Sequence, residues 1–203
     1  MFEIGFPELL VILFVGLVVI GPEKLPQLIK TSSNLTPEII KSVNLITKSL
    51  QNGKKIVLFG NGGSAADAQH IAAEFLGRYK LKRKSIPAIA LTSNSSTTTA
   101  IANDYDFSDI FSRQCESLVS KGDIVIGIST SGNSENIVKG LRTSRKNGGL
   151  TIGLLGNKGG KIKNIVDISL IVKDSSIPRI QEAHRVIYHI ICEIVEEELA
   201  RIE

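Results

Sequence analysis

Five short runs of apolar, β-branched residues recur along the chain, each bounded by Gly, Asp or Lys as buried strands are. The runs are Lys55–Gly60, Pro87–Thr92, Asp123–Ser129, Leu150–Gly156 and Asp167–Val172. Stretches with apolar residues at helical spacing flank and separate them: Thr36–Leu50, Ser64–Gly77, Asp109–Ser120, Ser134–Asn147 and Arg179–Ile202. Alternating strands and helices predict a doubly wound α/β fold, a five-stranded parallel sheet flanked by helices. Ligands of such folds bind at the carboxyl ends of the strands.

The first thirty residues depart from this alternation. Leu9 to Ile20 is an uncharged run, shorter than the roughly 20 residues of a full membrane span. No Lys or Arg precedes the run and no small-residue cleavage site follows it, which disfavours a secretory signal. Lys24 and Lys30 follow the run and would place its C-terminal side in the cytoplasm. We predict an N-terminal apolar helix; a buried core helix is the alternative to a membrane segment.

Composition excludes several classes of protein. The 203 residues are 42% apolar and 22% charged, so neither a disordered nor a fibrous chain fits. A formal charge of +4 does not indicate a nucleic-acid partner, and we expect none. The two cysteines, Cys115 and Cys192, exclude a disulfide scaffold and a cysteine zinc finger and favour a reducing compartment.

Two glycine- and serine-rich loops each follow a predicted strand and begin a helix. The loop Gly60-Asn61-Gly62-Gly63-Ser64 allows close backbone approach to a ligand. It fits a loose dinucleotide fingerprint, but Thr92-Ser93-Asn94 after the next strand lacks the acidic residue that binds a ribose. The loop Ser129-Thr130-Ser131-Gly132-Asn133-Ser134 offers four hydroxyls at a helix N-terminus, which favours a phosphate monoester over simple helix capping.

Few histidines are available for metal or acid–base chemistry. His70 and Glu74 are four residues apart on one helix face, where they could ligate a metal, act as acid–base partners or form a surface contact. Gln181 and His189 are eight residues apart, about 12 Å along a helix. One straight helix cannot bring both to one metal, so the helix is distorted or two chains share each site, and His184 is a competing candidate.

Together these motifs resemble the sugar isomerase (SIS) domain family, in particular its phosphoheptose isomerase branch, from about Leu35 to the C-terminus. The strings that carry the resemblance are Gly60–Ser64, Ala68–Tyr79, Ala102–Asp104, Asp109–Arg113, Gly127–Ser134 and Arg179–His189. The resemblance implies an SIS fold over residues 31–203 and an isomerase of sedoheptulose 7-phosphate. The product would be D-glycero-D-manno-heptose 7-phosphate, the first intermediate of ADP-heptose synthesis for lipopolysaccharide core or surface glycan.

The resemblance also implies residue roles. Glu74 would be the base that moves the proton between the two carbons, and His189 the partner acid. The implied Zn²⁺ ligands are His70, Glu74, Gln181 and His189. The implied substrate contacts are Asn61, Gly62, Gly63, Glu74, Asn103, Asp104, Ser129, Thr130, Ser131, Ser134 and Gln181. The family further implies a cytoplasmic homotetramer.

A non-catalytic branch of the same family binds the replication initiator protein and resembles this chain in the Ala-Gln-His and Ala-Ile-Ala-Asn-Asp stretches. That branch does not retain the position of Glu74 or of His189. Both residues are present here, which favours the enzyme over a non-catalytic module that binds the initiator or a phosphosugar.

The N-terminal segment has a resemblance of its own. Met1–Leu10 and Gly21–Pro26 are similar to the start and hinge of the twin-arginine translocase B subunit. The resemblance implies that residues 1–30 form a membrane anchor tethering the isomerase to the cytoplasmic face of the inner membrane. They stand where family enzymes usually carry an extra helix that packs the tetramer. The alternative is that they are a fusion artefact.

Overall fold

The computed structural model describes residues 34–201 and contains one five-stranded, entirely parallel sheet. Its strands are β1 (Ile56–Gly60), β2 (Ala88–Ala90), β3 (Ile124–Ser129), β4 (Leu150–Gly156) and β5 (Ile168–Val172). They lie in the order β2-β1-β3-β4-β5. The predicted five-stranded parallel α/β sheet is confirmed.

Helices cover both faces of the sheet. They are α1 (Thr36–Gln51), α2 (Gly63–Leu76), α3 (Ser95–Asp104), α4 (Ser112–Leu118), α5 (Glu135–Lys146) and α6 (Ile177–Ala200). Side chains of a strand point alternately to the two faces, so β1 contributes to two cores. Leu58 packs with α1, α2 and α6, and Phe59 packs with α4 and α5 on the opposite face.

Two regions differ from the predicted elements. The helix α3 was not predicted, because its Ser- and Thr-rich sequence has no apolar period. Asn94 begins it, since the Asn94 Oδ1 accepts a hydrogen bond from Thr97 N at 3.0 Å. The predicted helix Asp109–Ser120 is instead a 3₁₀ turn, Phe107–Asp109, followed by the short α4.

The order of the strands fixes where a ligand can bind. From β1 the chain passes to β2 on one side and then to β3 on the other, so β1 and β3 flank the point where the strand order reverses. Open α/β sheets bind ligands at this point, beyond the carboxyl ends of the strands. Both glycine- and serine-rich loops start there, the first after Gly60 and the second at Ser129.

The predicted apolar helix in residues 1–30 lies outside the described residues. Within the described range, 34–201, no helix is both long enough and apolar enough to cross a membrane.

Candidate active site

The loop after β3 gathers its hydroxyl groups at the start of α5. The Ser129 Oγ lies 3.3 Å from the Ser134 Oγ and 3.5 Å from the Ser131 Oγ, and it accepts a hydrogen bond from Gly132 N at 3.1 Å. Gly132 has a φ of 67°, a conformation that glycine adopts without strain. Hydroxyls and backbone N–H groups at a helix N-terminus form a binding place for an anion.

The loop after β4 forms hydrogen bonds with the loop Ser129–Ser134, which we call the serine loop. The Ile162 N donates to the Gly132 carbonyl at 3.0 Å, and the Asn157 Nδ2 donates to the Thr130 carbonyl at 3.0 Å. A methyl group on Gly132 would meet the carbonyl of Gly159. The serine loop is therefore fixed by close backbone packing that leaves no room for a side chain at Gly132.

Gln181 lies against the loop Gly60–Ser64 that follows β1, which we call the glycine loop. A methyl group on Gly63 would meet the side-chain amide of Gln181, so Gly63 is the residue that makes room for this amide. Gln181 is in the first turns of α6, which begins at Ile177. Its side chain thus lies at the N-terminus of α2 rather than beside His189.

His70, Glu74 and His189 come together between α2 and α6. The His70 Nε2 is 2.9 Å from the Glu74 Oε1, and the rings of His70 and His189 are 5.2 Å apart in an edge-on arrangement. One ligand atom from each of the three residues lies within 4.8 Å of the others, and all three residues are half-buried. Two imidazoles and a carboxylate suit zinc, whose catalytic sites have three protein ligands and one open position.

A second set of side chains orients His70. The Tyr188 hydroxyl is 3.0 Å from the His70 Nδ1 and donates to the buried Asp67 carboxylate at 3.4 Å. The His70 Nδ1 thus has the Tyr188 hydroxyl as its partner, while the His70 Nε2 faces the Glu74 carboxylate. Metal-binding histidines usually have such a partner on the other ring nitrogen, so the donor set fits a metal ion.

The electrostatic surroundings keep His189 neutral. Burial lowers the pKa of the His189 imidazole below its usual value, the neighbouring His70 lowers it further, and Glu74 opposes the shift. A neutral imidazole can bind a metal or exchange a proton with a substrate oxygen.

His184 is not part of this cluster. It is fully buried, and its Nε2 donates to the Leu155 carbonyl at 3.0 Å. Burial lowers the pKa of its imidazole. The competing candidate of the sequence analysis is therefore a core residue that joins α6 to β4.

Two predicted substrate residues lie away from the cluster. Asn103 and Asp104 are exposed at the end of α3, where the Asn103 Nδ2 donates to the Asp104 Oδ1 at 2.9 Å. No hydrogen bond of the described residues joins either one to His70, Glu74 or His189. Three residues that no sequence motif indicates also support the site through their contacts: Asn136, Tyr188 and Asp67.

Comparison with known proteins gives consistent matches. The SIS domain family matches residues 23–156, a region that starts inside the N-terminal segment. A phosphoheptose isomerase of Geobacter sulfurreducens is 53% identical over 165 residues, which cover 81% of this chain and 87% of that protein. Another, from Helicobacter hepaticus, is 54% identical over 164 residues, which cover 81% of this chain and 84% of that protein.

Solved structures match as well. The phosphoheptose isomerase of Neisseria gonorrhoeae superposes with a TM-score of 0.83 at 36% identity, over 91% of this chain and 99% of that one. That of Francisella tularensis also gives a TM-score of 0.83 at 36% identity, over 86% and 93% of the two chains.

Proposed function

The chain belongs to the SIS domain family and, within it, to the phosphoheptose isomerases, and on this premise we propose that it converts sedoheptulose 7-phosphate to D-glycero-D-manno-heptose 7-phosphate. The observation that carries the proposal is the convergence of His70, Glu74 and His189 between α2 and α6. The helix α2 begins at the glycine loop, beside the serine loop that suits a phosphate. One chain thus supplies a phosphate site and an acid–base site.

Glu74 is the proposed base. In the ketose-to-aldose direction its carboxylate takes a proton from C1, and the electrons of the C–H bond form the C1–C2 double bond of an enediol. Glu74 then returns a proton to C2. Its side chain is 21% exposed, so a substrate can reach the carboxylate while His70 holds one of its oxygens.

His189 is the proposed partner for the oxygen atoms. As the carbonyl oxygen at C2 gains electrons, it receives a proton, and the hydroxyl at C1 loses one when the new carbonyl forms. The ring nitrogen that faces the substrate can donate a proton to the C2 oxygen and then take one back from the C1 hydroxyl, which leaves the other ring nitrogen free to bind a metal. Tyr79 packs on the His189 ring with centroids 5.6 Å apart and limits its movement.

The serine loop is the proposed phosphate site. Ser129, Thr130, Ser131 and Ser134 supply hydroxyls, and the N-terminus of α5 supplies backbone N–H groups. Asn61, Gly62, Gly63 and Gln181 line the neighbouring loop and are proposed to contact the sugar hydroxyls. Asn103 and Asp104 are proposed as further substrate contacts on the resemblance alone.

We propose His70, Glu74 and His189 as Zn²⁺ ligands. When bound there, the ion would polarise the carbonyl and stabilise negative charge on the enediolate oxygens. Gln181 remains a proposed fourth ligand, although its amide rests on Gly63 and would have to swing toward the cluster.

An isomerisation assay tests the proposed function. The full-length chain should convert sedoheptulose 7-phosphate to the aldose, and unphosphorylated sedoheptulose should be a far poorer substrate. Treatment with a chelator should abolish the activity, and added Zn²⁺ should restore it. Absence of conversion with Zn²⁺ present would refute the proposed reaction, and full activity after complete metal removal would refute the metal assignment.

We further propose that residues 1–30 anchor a cytoplasmic homotetrameric enzyme to the inner membrane. Support comes from the apolar run and from the translocase-like strings in this segment. Cell fractionation of the full-length chain and of a chain lacking residues 1–30 tests the proposal. The full chain should sediment with membranes and the shortened one should not; a soluble full-length chain would contradict the anchor.

A further inference from the structure

A buried ion pair joins the region around Glu74 to the helix that carries His189. The Arg83 Nε donates to the Glu196 Oε1 at 2.9 Å, and the two side chains are only 3% and 1% exposed. Arg83 lies in the connection from α2 to β2. Glu196 lies on α6, seven residues after His189, and therefore on the same face of that helix two turns further along.

The guanidinium of Arg83 also caps the end of α2. Its Nη2 donates to the backbone carbonyl of Glu74 at 2.9 Å, and its Nη1 donates to the carbonyls of Phe75 at 2.9 Å and Gly77 at 3.4 Å. The last carbonyls of a helix have no partner within the helix. Arg83 therefore fixes the same turn of backbone that carries the proposed catalytic base.

Glu196 holds the segment that follows α2. Its carboxylate accepts hydrogen bonds from the backbone N–H groups of Tyr79, Lys80 and Leu81 at 2.8, 2.6 and 2.8 Å. Burial alone would raise the pKa of the Glu196 carboxyl, but these N–H donors and the charge of Arg83 lower it, so Glu196 is ionised. Through Tyr79, the same segment contacts the His189 ring.

From these contacts we infer that Arg83, paired with Glu196, is a positioning residue for catalysis that holds Glu74 at its working distance from His189. The inference rests on the proposed isomerase function. Arg83 itself donates to backbone carbonyls and to Glu196. Any effect of Arg83 on catalysis therefore passes through the backbone of Glu74 and through the segment Tyr79–Leu81. The planar guanidinium of Arg83 has five N–H donors and reaches all of these acceptors at once. The single ammonium group of a lysine cannot do so.

Steady-state kinetics of Arg83→Lys test the inference. We expect kcat to fall about 10- to 100-fold, since small displacements of a reacting group have costs of this size. The inhibition constant of inorganic phosphate should stay within about twofold of the wild-type value, because the serine loop follows β3 and makes none of these contacts. Glu196→Gln, which keeps an acceptor for the backbone N–H groups, should lower kcat in the same way and serves if Arg83→Lys does not fold.

A matched control separates positioning from general stability. Asp123 is a second buried carboxylate, paired with Lys55 Nζ at 2.6 Å and with Ser120 N at 2.8 Å, and it precedes β3, at the end of that strand away from the serine loop. Lys55→Met should lower the free energy of unfolding but leave kcat per folded molecule unchanged. In addition, Arg83→Lys should cost much less in a Glu74→Asp background, because that base is already displaced.

A wild-type chain without isomerase activity overturns the proposed function, and the inference with it. An active wild-type chain whose Arg83→Lys and Glu196→Gln variants keep a kcat equal to that of Lys55→Met overturns the inference alone. A full additional loss in the Glu74→Asp background would also overturn it, because Arg83 would then act independently of Glu74.

Discussion

The side-chain amides of Asn61 and Asn136 exchange two hydrogen bonds of 2.9 Å each. Asn61 follows β1 and Asn136 lies in the first turn of α5, so this pair connects the glycine loop with the serine loop. Asn136 is buried. The amide pair is therefore a direct side-chain link between the proposed phosphate site and the proposed sugar site, in addition to the pairing of β1 with β3.

Replacing Asn136 by alanine should loosen this connection. We expect a loss of about 1–3 kcal/mol in the free energy of unfolding, because the half-buried Asn61 amide loses its partner. The inhibition constant of inorganic phosphate should rise as well. Denaturant unfolding and inhibition kinetics measure the two effects. Asn52→Ala is the control, since the exposed Asn52 amide donates only to the Lys48 carbonyl of its own helix. Equal effects of the two substitutions would contradict the role given to Asn136.

Gly132→Ala should damage the phosphate site. The added methyl group would meet the Gly159 carbonyl, and the positive φ of 67° would be strained. We expect KM for the phosphorylated substrate to rise at least tenfold, an effect of roughly 1.4 kcal/mol or more. Gly53→Ala is a close control, because Gly53 has a φ of 69° but open space around its α-carbon. If Gly132→Ala bound substrate as Gly53→Ala does, the close packing of the two loops would have no role in binding.

Tyr188→Phe should weaken metal binding. The substitution removes the oxygen that faces the His70 Nδ1, and the loss of such a partner typically costs about 10- to 100-fold in metal affinity. Calorimetric titration of the metal-depleted protein with Zn²⁺ measures the effect without any enzyme assay. Tyr105→Phe removes a hydroxyl that only accepts a hydrogen bond from Arg113 at an exposed site, and it should leave the affinity unchanged. An unchanged affinity in Tyr188→Phe would show that this hydroxyl does not orient His70.

His184 should make stability depend on pH. Its folded-state pKa lies below the ordinary value of 6.5, because burial disfavours the charged ring. The unfolded chain therefore binds the proton more readily, and the stability contributed by neutral His184 is present above pH 6.5 and is lost as the pH falls below it.

Unfolding free energies of the wild type and of His184→Gln between pH 7.5 and pH 5.5 test this dependence. The wild-type stability should fall more steeply, by up to ~1.4 kcal/mol per pH unit relative to the variant. Parallel curves would contradict it. His70 and His189 are present in both proteins, so the difference between the curves belongs to His184.

Much of the fold follows from the pattern of the sequence, whereas the contacts between elements do not. All five strands lie within the short apolar runs of the sequence, although β2 contains a single β-branched residue, Ile89. The helix α3 was not predictable, since Asn94 starts it by capping a polar stretch with no apolar period. The spacing along α2 predicts that His70 lies beside Glu74. The position of His189 next to them depends on how α6 packs on α2, which the sequence pattern does not indicate. Asn136 and Arg83 act through partners distant in sequence, which no local pattern reveals.

The most direct test of the account is the reaction of sedoheptulose 7-phosphate in D₂O with the wild type and with Glu74→Gln, followed by NMR of the product. If the protonated Glu74 carboxyl exchanges with D₂O while the enediol is bound, deuterium should appear at C2 of at least part of the heptose formed by the wild type. Proton transfer by Glu74 also predicts a loss of about 10²-fold or more in the rate of Glu74→Gln, whose Zn²⁺ content is brought to that of the wild type. A Glu74→Gln variant that forms product at the wild-type rate would contradict the account.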